Sequence, residues 1–172
     1  QGSVLWIGKI DGLVSYHLQT REVLSAPAWP SGPVTALVPL SDGVLAACGG
    51  QIGAAIKDTW QPVTSLGKGQ QIRRMVLHHD PDSPETALLW LATADDLVRV
   101  EVTGGHAAPW RTEHPPDLVT GHGVAEPGMV MGNLVLSLAM DQRAAPRLWV
   151  GTSQGLFSLS LGGVATSPAW ES

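Results

Sequence analysis

The chain has 172 residues, a formal net charge of −5, 44% hydrophobic and 15% charged residues, and one cysteine. It is long enough for one domain with a sizeable core. Its largest basic cluster is the pair Arg73–Arg74, which excludes the concentrated positive surface that nucleic-acid binding needs. The single thiol, Cys48, excludes an intrachain disulfide, and no apolar run approaches the roughly 18 residues of a membrane-spanning helix.

In chain order, Gln1–Ser3 reads as the remnant of a processed start. Residues 4–18, VLWIGKIDGLVSYHL, are two short apolar runs around a turn, and a third run continues toward residue 30. VTALVPLSDG (34–43) opens a fuller unit, with strands predicted over 34–40, 43–48, 51–57 and 60–66. IRRMVLHHDPD (72–82) precedes LLWLATADDLVRVEV (88–102), and LVLSLAMDQ (134–142) precedes RLWVGTSQGLFSLSL (147–161). Runs of five to seven residues with alternating polarity favour strands, and no stretch carries a capped helical stripe, so almost no helix is expected. Gly (20) and Pro (13) make up about a fifth of the chain without a low-complexity run, which suits many short strands joined by tight turns.

The chain repeats itself. Trp6, Trp90 and Trp149 hold one place, and Leu13, Leu97 and Leu156 follow each by seven residues. A degenerate copy lies at 44–56, VLAACGGQIGAAI, where Ala46 aligns with the tryptophans, Cys48 with Gly8, and Ile52 falls one residue early for the leucine place. A second tryptophan trails three units: Trp29, Trp110 and Trp170 lie 23, 20 and 21 residues after the first, and Trp60 trails the degenerate unit at a shorter interval. Four-stranded units (strands a to d) recurring every 40 to 60 residues read as propeller blades, which bury both faces of each sheet by stacking. The expected fold is all-β: a propeller, or part of one, of about four four-stranded blades. The blades fall near 4–30, 34–66, 72–112 and 133–171 in one domain over 1–172, the first lacking its inner strand a. Fifteen strands result. Trp6, Trp90 and Trp149 are expected to fill the space between blades, with Gly8 and Gly151 admitting the next sheet and Ala92 as the nearest substitute. The b–c turns, at Lys9–Gly12 and Ser153–Gly155, call for glycine at positive φ.

LWIGKIDGLVSY and LWVGTSQGLFSL resemble the two-component-regulator propeller repeat, a blade type of bacterial sensor proteins. Thr93 and Thr152 keep the threonine of that motif, and Lys9 replaces it in the first copy. The resemblance implies a ligand-sensing or scaffold module, in the periplasm or outside the cell.

No chemistry-bearing motif stands out. There is no Gly-x-Ser-x-Gly elbow. No helix follows Gly49–Gly53, which reads as a b–c turn rather than a phosphate cradle. His78 and His79 are adjacent on a strand and so point to opposite faces, while Asp80 and Asp82 sit in a loop; no metal is expected there, nor at His106, and no cofactor is expected anywhere. Cys48 reads as a small buried residue. The long stretch 113–132, within 111–133, reads as a functional insertion between strands d and a, on the edge that also carries the b–c turns. Ligand- or partner-binding candidates on that edge and near the inner strands are Lys9, Asp11, Gln51, Arg73, Asp95, His114, His122 and Gln154. The expected function is a non-enzymatic binding or interaction module, for a small molecule, a protein, or a second copy completing the ring. Alternatives are a propeller lyase or hydrolase with a polar funnel, where Arg73, Arg74, His78 and His79 would supply charge, or an architectural fragment completed by another chain.

Overall fold

The computed structural model describes residues 4–25, 32–56, 59–67, 69–79, 86–94, 96–103, 106–107, 111–113, 134–143, 146–153, 155–161 and 170–171. Among these are sixteen strands and no helix. They are β1 (Val4–Lys9), β2 (Gly12–His17), β3 (Glu22–Ser25), β4 (Val34–Pro39), β5 (Gly43–Cys48), β6 (Gln51–Ile56), β7 (Thr59–Ser65), β8 (Arg74–His79), β9 (Thr86–Ala92), β10 (Leu97–Thr103), β11 (His106–Ala107), β12 (Arg111–Glu113), β13 (Val135–Asp141), β14 (Arg147–Thr152), β15 (Gly155–Ser160) and β16 (Trp170–Glu171). The two-residue β11 is the strand that the repeat does not foresee.

The strands form four antiparallel sheets. The first is β1–β2–β3, the second β4–β5–β6–β7, and the fourth β13–β14–β15–β16; the third is built on β8, β9 and β10, with β12 paired along β10. Among the described residues the first blade has three strands, β1–β2–β3, and no strand a, as its sequence predicts. In the second blade each strand lies within one residue of its predicted bounds.

The backbone register corrects the alignment of the degenerate second blade. Gly8 pairs with Leu13, Ala92 with Leu97, and Gly151 with Leu156. The pair in the second blade is Ala47 with Ile52. Ala47 therefore takes the place of Gly8, and Cys48 that of Lys9. Leu45, not Ala46, stands for the tryptophan, and Ile52 follows it by the regular seven residues. The two-residue turn Gly49–Gly50 sets this register, as Ile10–Asp11 does in the first blade, and a one-residue shift would send every side chain to the wrong face.

The trailing tryptophans also resolve. Trp60 pairs with Ala55 and Trp170 with Leu159, each three residues past the leucine place, so these two are equivalent and the shorter interval at Trp60 reflects a shorter c–d connection. The corresponding residue of the first blade is Val23, opposite Tyr16. Trp29 lies beyond β3 and, like Trp110, outside the described residues.

The chain divides into two compact units, Gln1–Met75 with Gly105–Ala107, and Val76–Gly104 with Ala108–Ser172. Alternate residues of a strand face opposite ways and paired residues share a face. Each blade thus has a tryptophan face (Trp6, Gly8 and Leu13 in the first) and an opposite face (Leu5, Ile7 and Val14). In the first unit, Leu13 packs with Val44 and Ala55, and Trp6, Val34 and Leu37 close around them. The tryptophan face of the first blade therefore seats on the opposite face of the second. In the second unit, Trp90, Ala92 and Leu97 pack with Leu148, Val150 and Leu159. The third blade seats on the fourth in the same sense. Trp90 is fully buried, whereas Trp6 and Trp149 are half-buried.

Gly8 does admit the next sheet: a Cβ there would stand 2.7 Å from Val34 Cγ1. Gly151 differs from its expected role. A Cβ there would collide with Ser137 Oγ of β13, the neighbouring strand of its own sheet, so this glycine makes room within the blade rather than between blades.

Candidate functional site: the turn edge of the blades

The b–c turns are built alike. Gly12 and Gly155 open their c strands at φ 142° and 148°, in the region that glycine alone enters without strain. The residue just before each turn then ties it. Thr93 exchanges bonds with Asp96: its N–H donates to Asp96 O at 2.9 Å and its hydroxyl accepts from Asp96 N–H at 3.0 Å. The Thr152 hydroxyl donates to Gly155 O at 3.2 Å. In the first blade, Lys9 does the same work by charge. Its Nζ lies 3.0 Å from Asp11 Oδ1, and the Lys9 hydrogen bond holds the Asp11 carboxyl below its ordinary value. Both groups are exposed, so water screens the pair. The threonine place of the repeat is thus a turn-closing place, which explains why lysine can substitute there.

The second blade adds a rigid clasp. Its turn, Gly49–Gly50, lies under the connection that leaves β7. Leu66 N–H donates to Gly50 O at 2.8 Å, and Ile72 N–H donates to Gly49 O at 2.9 Å. Ile72 is fully buried, and its carbonyl accepts from the Thr35 hydroxyl. A Cβ at Gly50 would stand 2.6 Å from Gln70 O, so only glycine fits beneath this connection. The d–a connection and the b–c turn therefore share one edge, as expected. Gln51 and Arg73 flank the Ile72–Gly49 bond on either strand of the clasp, and both side chains are exposed. Within this unit the structure brings Gln51 and Arg73 to one edge of one blade, and places Lys9 and Asp11 on the corresponding edge of its neighbour. In the fourth blade the turn is tied instead to the segment that enters its own β13, with Ser153 N–H donating to Leu134 O at 3.1 Å and Ser153 Oγ accepting from Leu134 N–H at 3.3 Å.

Asp95, His114, His122 and Gln154 lie outside the described residues, as do Asp80, Asp82 and residues 114–133 of the insertion. His78 is buried and His79 exposed, on opposite faces of β8 as their adjacency requires. Among the described residues no three His, Cys, Asp or Glu side chains are grouped as metal ligands. Arg73 and Arg74 are both exposed. Cys48 is buried behind the second turn, and burial pushes its thiol up from the ordinary value.

Sequence reasoning missed two features. Asp141 and Arg143 form a bidentate pair, at 2.8–3.1 Å, on the a–b side of the fourth blade; the D-x-R spacing after an apolar run was its only signal. The opposite face of the first blade is exposed and apolar, with Leu5 at 47%, Ile7 at 41% and Val23 at 64%. Its signal was the unbroken apolar run Val4–Ile7, which belongs to a strand meant to be covered on both faces.

Four repeat-built blades, stacked in one sense within each unit, define a partial β-propeller. Solved structures similar to it include extracellular domains of one- and two-component systems and a β-propeller domain. The extracellular domain of the one-component system BT4673 from B. thetaiotaomicron matches 98% of this chain at 16% identity and a TM-score of 0.61. The same protein described as a hybrid two-component system matches with a TM-score of 0.62. The β-propeller domain of Myceliophteria thermophila Cps50 (Swd1) matches 92% of the chain at 15% identity, with a TM-score of 0.63. The chain spans 21% of the sensor domains and 48% of the Cps50 domain. No protein-family model and no curated protein matches it. Among the described residues no helix is long and apolar enough to cross a membrane.

Proposed function

We propose that residues 1–172 act as one non-enzymatic sensing or interaction propeller domain, and that the b–c turn edge binds its ligand. The observation that carries this reading is the clasp of the second blade. Two backbone bonds and a buried isoleucine fix the connection over Gly49–Gly50, yet Gln51 and Arg73 beside it remain exposed. A connection whose backbone is already fixed need not be ordered when these side chains bind, which spares that part of the cost. Lys9 and Asp11 extend that edge within the first unit, and Asp95, Gln154, His114 and His122 of the second unit are separate candidates. The ligand class is a small polar molecule or a protein segment, and the setting that fits the sensor-domain likeness is periplasmic or extracellular.

A thermal-shift screen of sugars, nucleotides, amino acids and short peptides tests the proposal. A ligand at a hundred times its Kd adds about 2.7 kcal/mol of stability, which for a chain of this size moves the midpoint by about 5–10 °C. The proposal predicts that Gln51→Ala and Arg73→Ala remove the shift while leaving the unliganded midpoint in place. Hits that both variants retain would place the site elsewhere, and turnover of a hit would make the protein an enzyme.

A further inference from the structure

The four b–c turns differ at one place. The residue that opens the turn is Ile10 in the first blade and Gly49, Ala94 and Ser153 in the others. Glycine and small or polar residues suit such turns, and a large aliphatic one does not. Ile10 is 83% exposed, more than any other large hydrophobic residue described. Gly12 and the Lys9–Asp11 pair already close this turn, so its conformation does not call for an isoleucine.

Charge is sorted along the same unit. Arg73 and Arg74 are exposed where the clasp runs into β8, and the Arg74 guanidinium donates to the Arg73 carbonyl at 2.8 Å, which keeps the two cations together. Among the described residues of the first unit the carboxylates are Asp11, Glu22 and Asp42. Asp11 is held by Lys9, while Glu22 and Asp42 lie at the opposite strand ends, across from His17 and in the β4–β5 turn. The turn edge is thus cationic in a chain of net charge −5. We propose that this edge takes an acidic protein segment bearing a large apolar side chain: the apolar side chain packs on Ile10, and the carboxylates pair with Arg73 and Arg74. This partner class rests on the turn-edge reading above and chooses the protein segment over the small molecule. An apolar side chain on a projecting turn offers no walls to enclose a small ligand. Ile10 and the arginines belong to neighbouring blades of one unit, so a segment laid along the edge meets both. Arginine binds carboxylates through two parallel bonds, and charge complementarity of this kind steers encounter and fixes register.

Fluorescence anisotropy of the whole chain with a labelled twelve-residue peptide of glutamate, aspartate and leucine tests it. Saturable binding is expected, weakened as salt rises from about 0.05 to about 0.5 M. Ile10→Ser is expected to weaken it about tenfold through the lost apolar contact, and Arg73→Ala with Arg74→Ala at least as much through the lost charged bonds. If Ile10→Ser lowers the melting midpoint, Ile10→Thr is read in the same way. A peptide with serine for leucine is expected to bind the wild type as weakly as the leucine peptide binds Ile10→Ser. No saturable binding of the leucine peptide overturns the proposal, as does equal binding by Ile10→Ser. Equal binding of a lysine-for-acid peptide, or of a single-stranded oligonucleotide, also overturns it. Failure here is distinguishable from failure of the turn-edge reading: a small-molecule thermal shift that Gln51→Ala removes and Ile10→Ser retains would keep that reading and overturn this one.

Discussion

Trp90 and Trp149 hold the same place in the repeat and meet different surroundings. Trp90 is fully buried among Ala92, Leu97, Leu148 and Val150, with the Arg99 guanidinium 6.0 Å from its ring centre, and Trp149 is half-buried. Removing a buried tryptophan costs about 3–5 kcal/mol. Trp90→Ala is therefore expected to lose that much in urea unfolding, and Trp149→Ala markedly less. Equal losses would mean that the two places are equally covered. Opposite the half-buried tryptophans the chain places Ser15 and Ser158, both buried. These small residues leave room for the indole, and Arg99 takes that place beneath Trp90.

Cys48 belongs to the same scale. Burial raises its thiol pKa, so the folded state favours the protonated form. A raised acid contributes stability below the unfolded thiol pKa and loses it as pH rises through the folded value. At about pH 8.5, near the ordinary thiol pKa, the folded protein is expected to react with iodoacetamide far more slowly than the urea-unfolded chain. Equal rates would show that the thiol is not shielded. The sequence showed the apolar neighbours of Cys48 but not its place: with Leu45 where strand b of the other blades carries tryptophan, the second copy has no anchor to fix its register.

At the scale of the element, the b–c hairpin is the unit that the sequence showed most fully. Its two-residue turn, its opening glycine and its flanking alternation are all local, so no tertiary contact is needed to read them. What closes the turn was not legible, because a hydroxyl and an ion pair do the same work in different blades. Thr152→Val removes one hydrogen bond and is expected to cost about 0.5–1.5 kcal/mol. The ion pair gives a pH signature instead. Lys9 depresses the Asp11 carboxyl, so the pair stabilises above the ordinary carboxylate pKa and is lost as pH falls through the depressed value. Wild type and Asp11→Asn are expected to converge in stability at acid pH and to separate, slightly, near neutrality. A gap that persists in acid would show that Asp11 acts by something other than its charge. The clasp over Gly49–Gly50 escaped the sequence for a different reason: it joins residues some twenty positions apart, and only Gly50 hints at the close approach.

At the scale of the molecule, the repeat is a packing rule. The tryptophan and leucine places build one face, the intervening apolar places build the other, and the first accepts the second. The sequence carried this rule through composition and spacing: the three-stranded first blade and the four-blade layout were both readable. It did not carry which faces stay exposed, because an apolar run looks the same whether its cover is present or not.

The seating of one blade on the next is the central claim, and Gly8 against Val34 is its closest approach. A double-mutant cycle at this pair tests it. Gly8→Ala forces a methyl into Val34 and is expected to cost about 1–3 kcal/mol. Val34→Ala removes the Cγ1 that the methyl meets, so the double variant is expected to be more stable than the sum of the two losses, by a coupling of about 0.5–3 kcal/mol. Simple additivity would mean that Gly8 and Val34 do not touch, and that the first blade does not seat on the second as described.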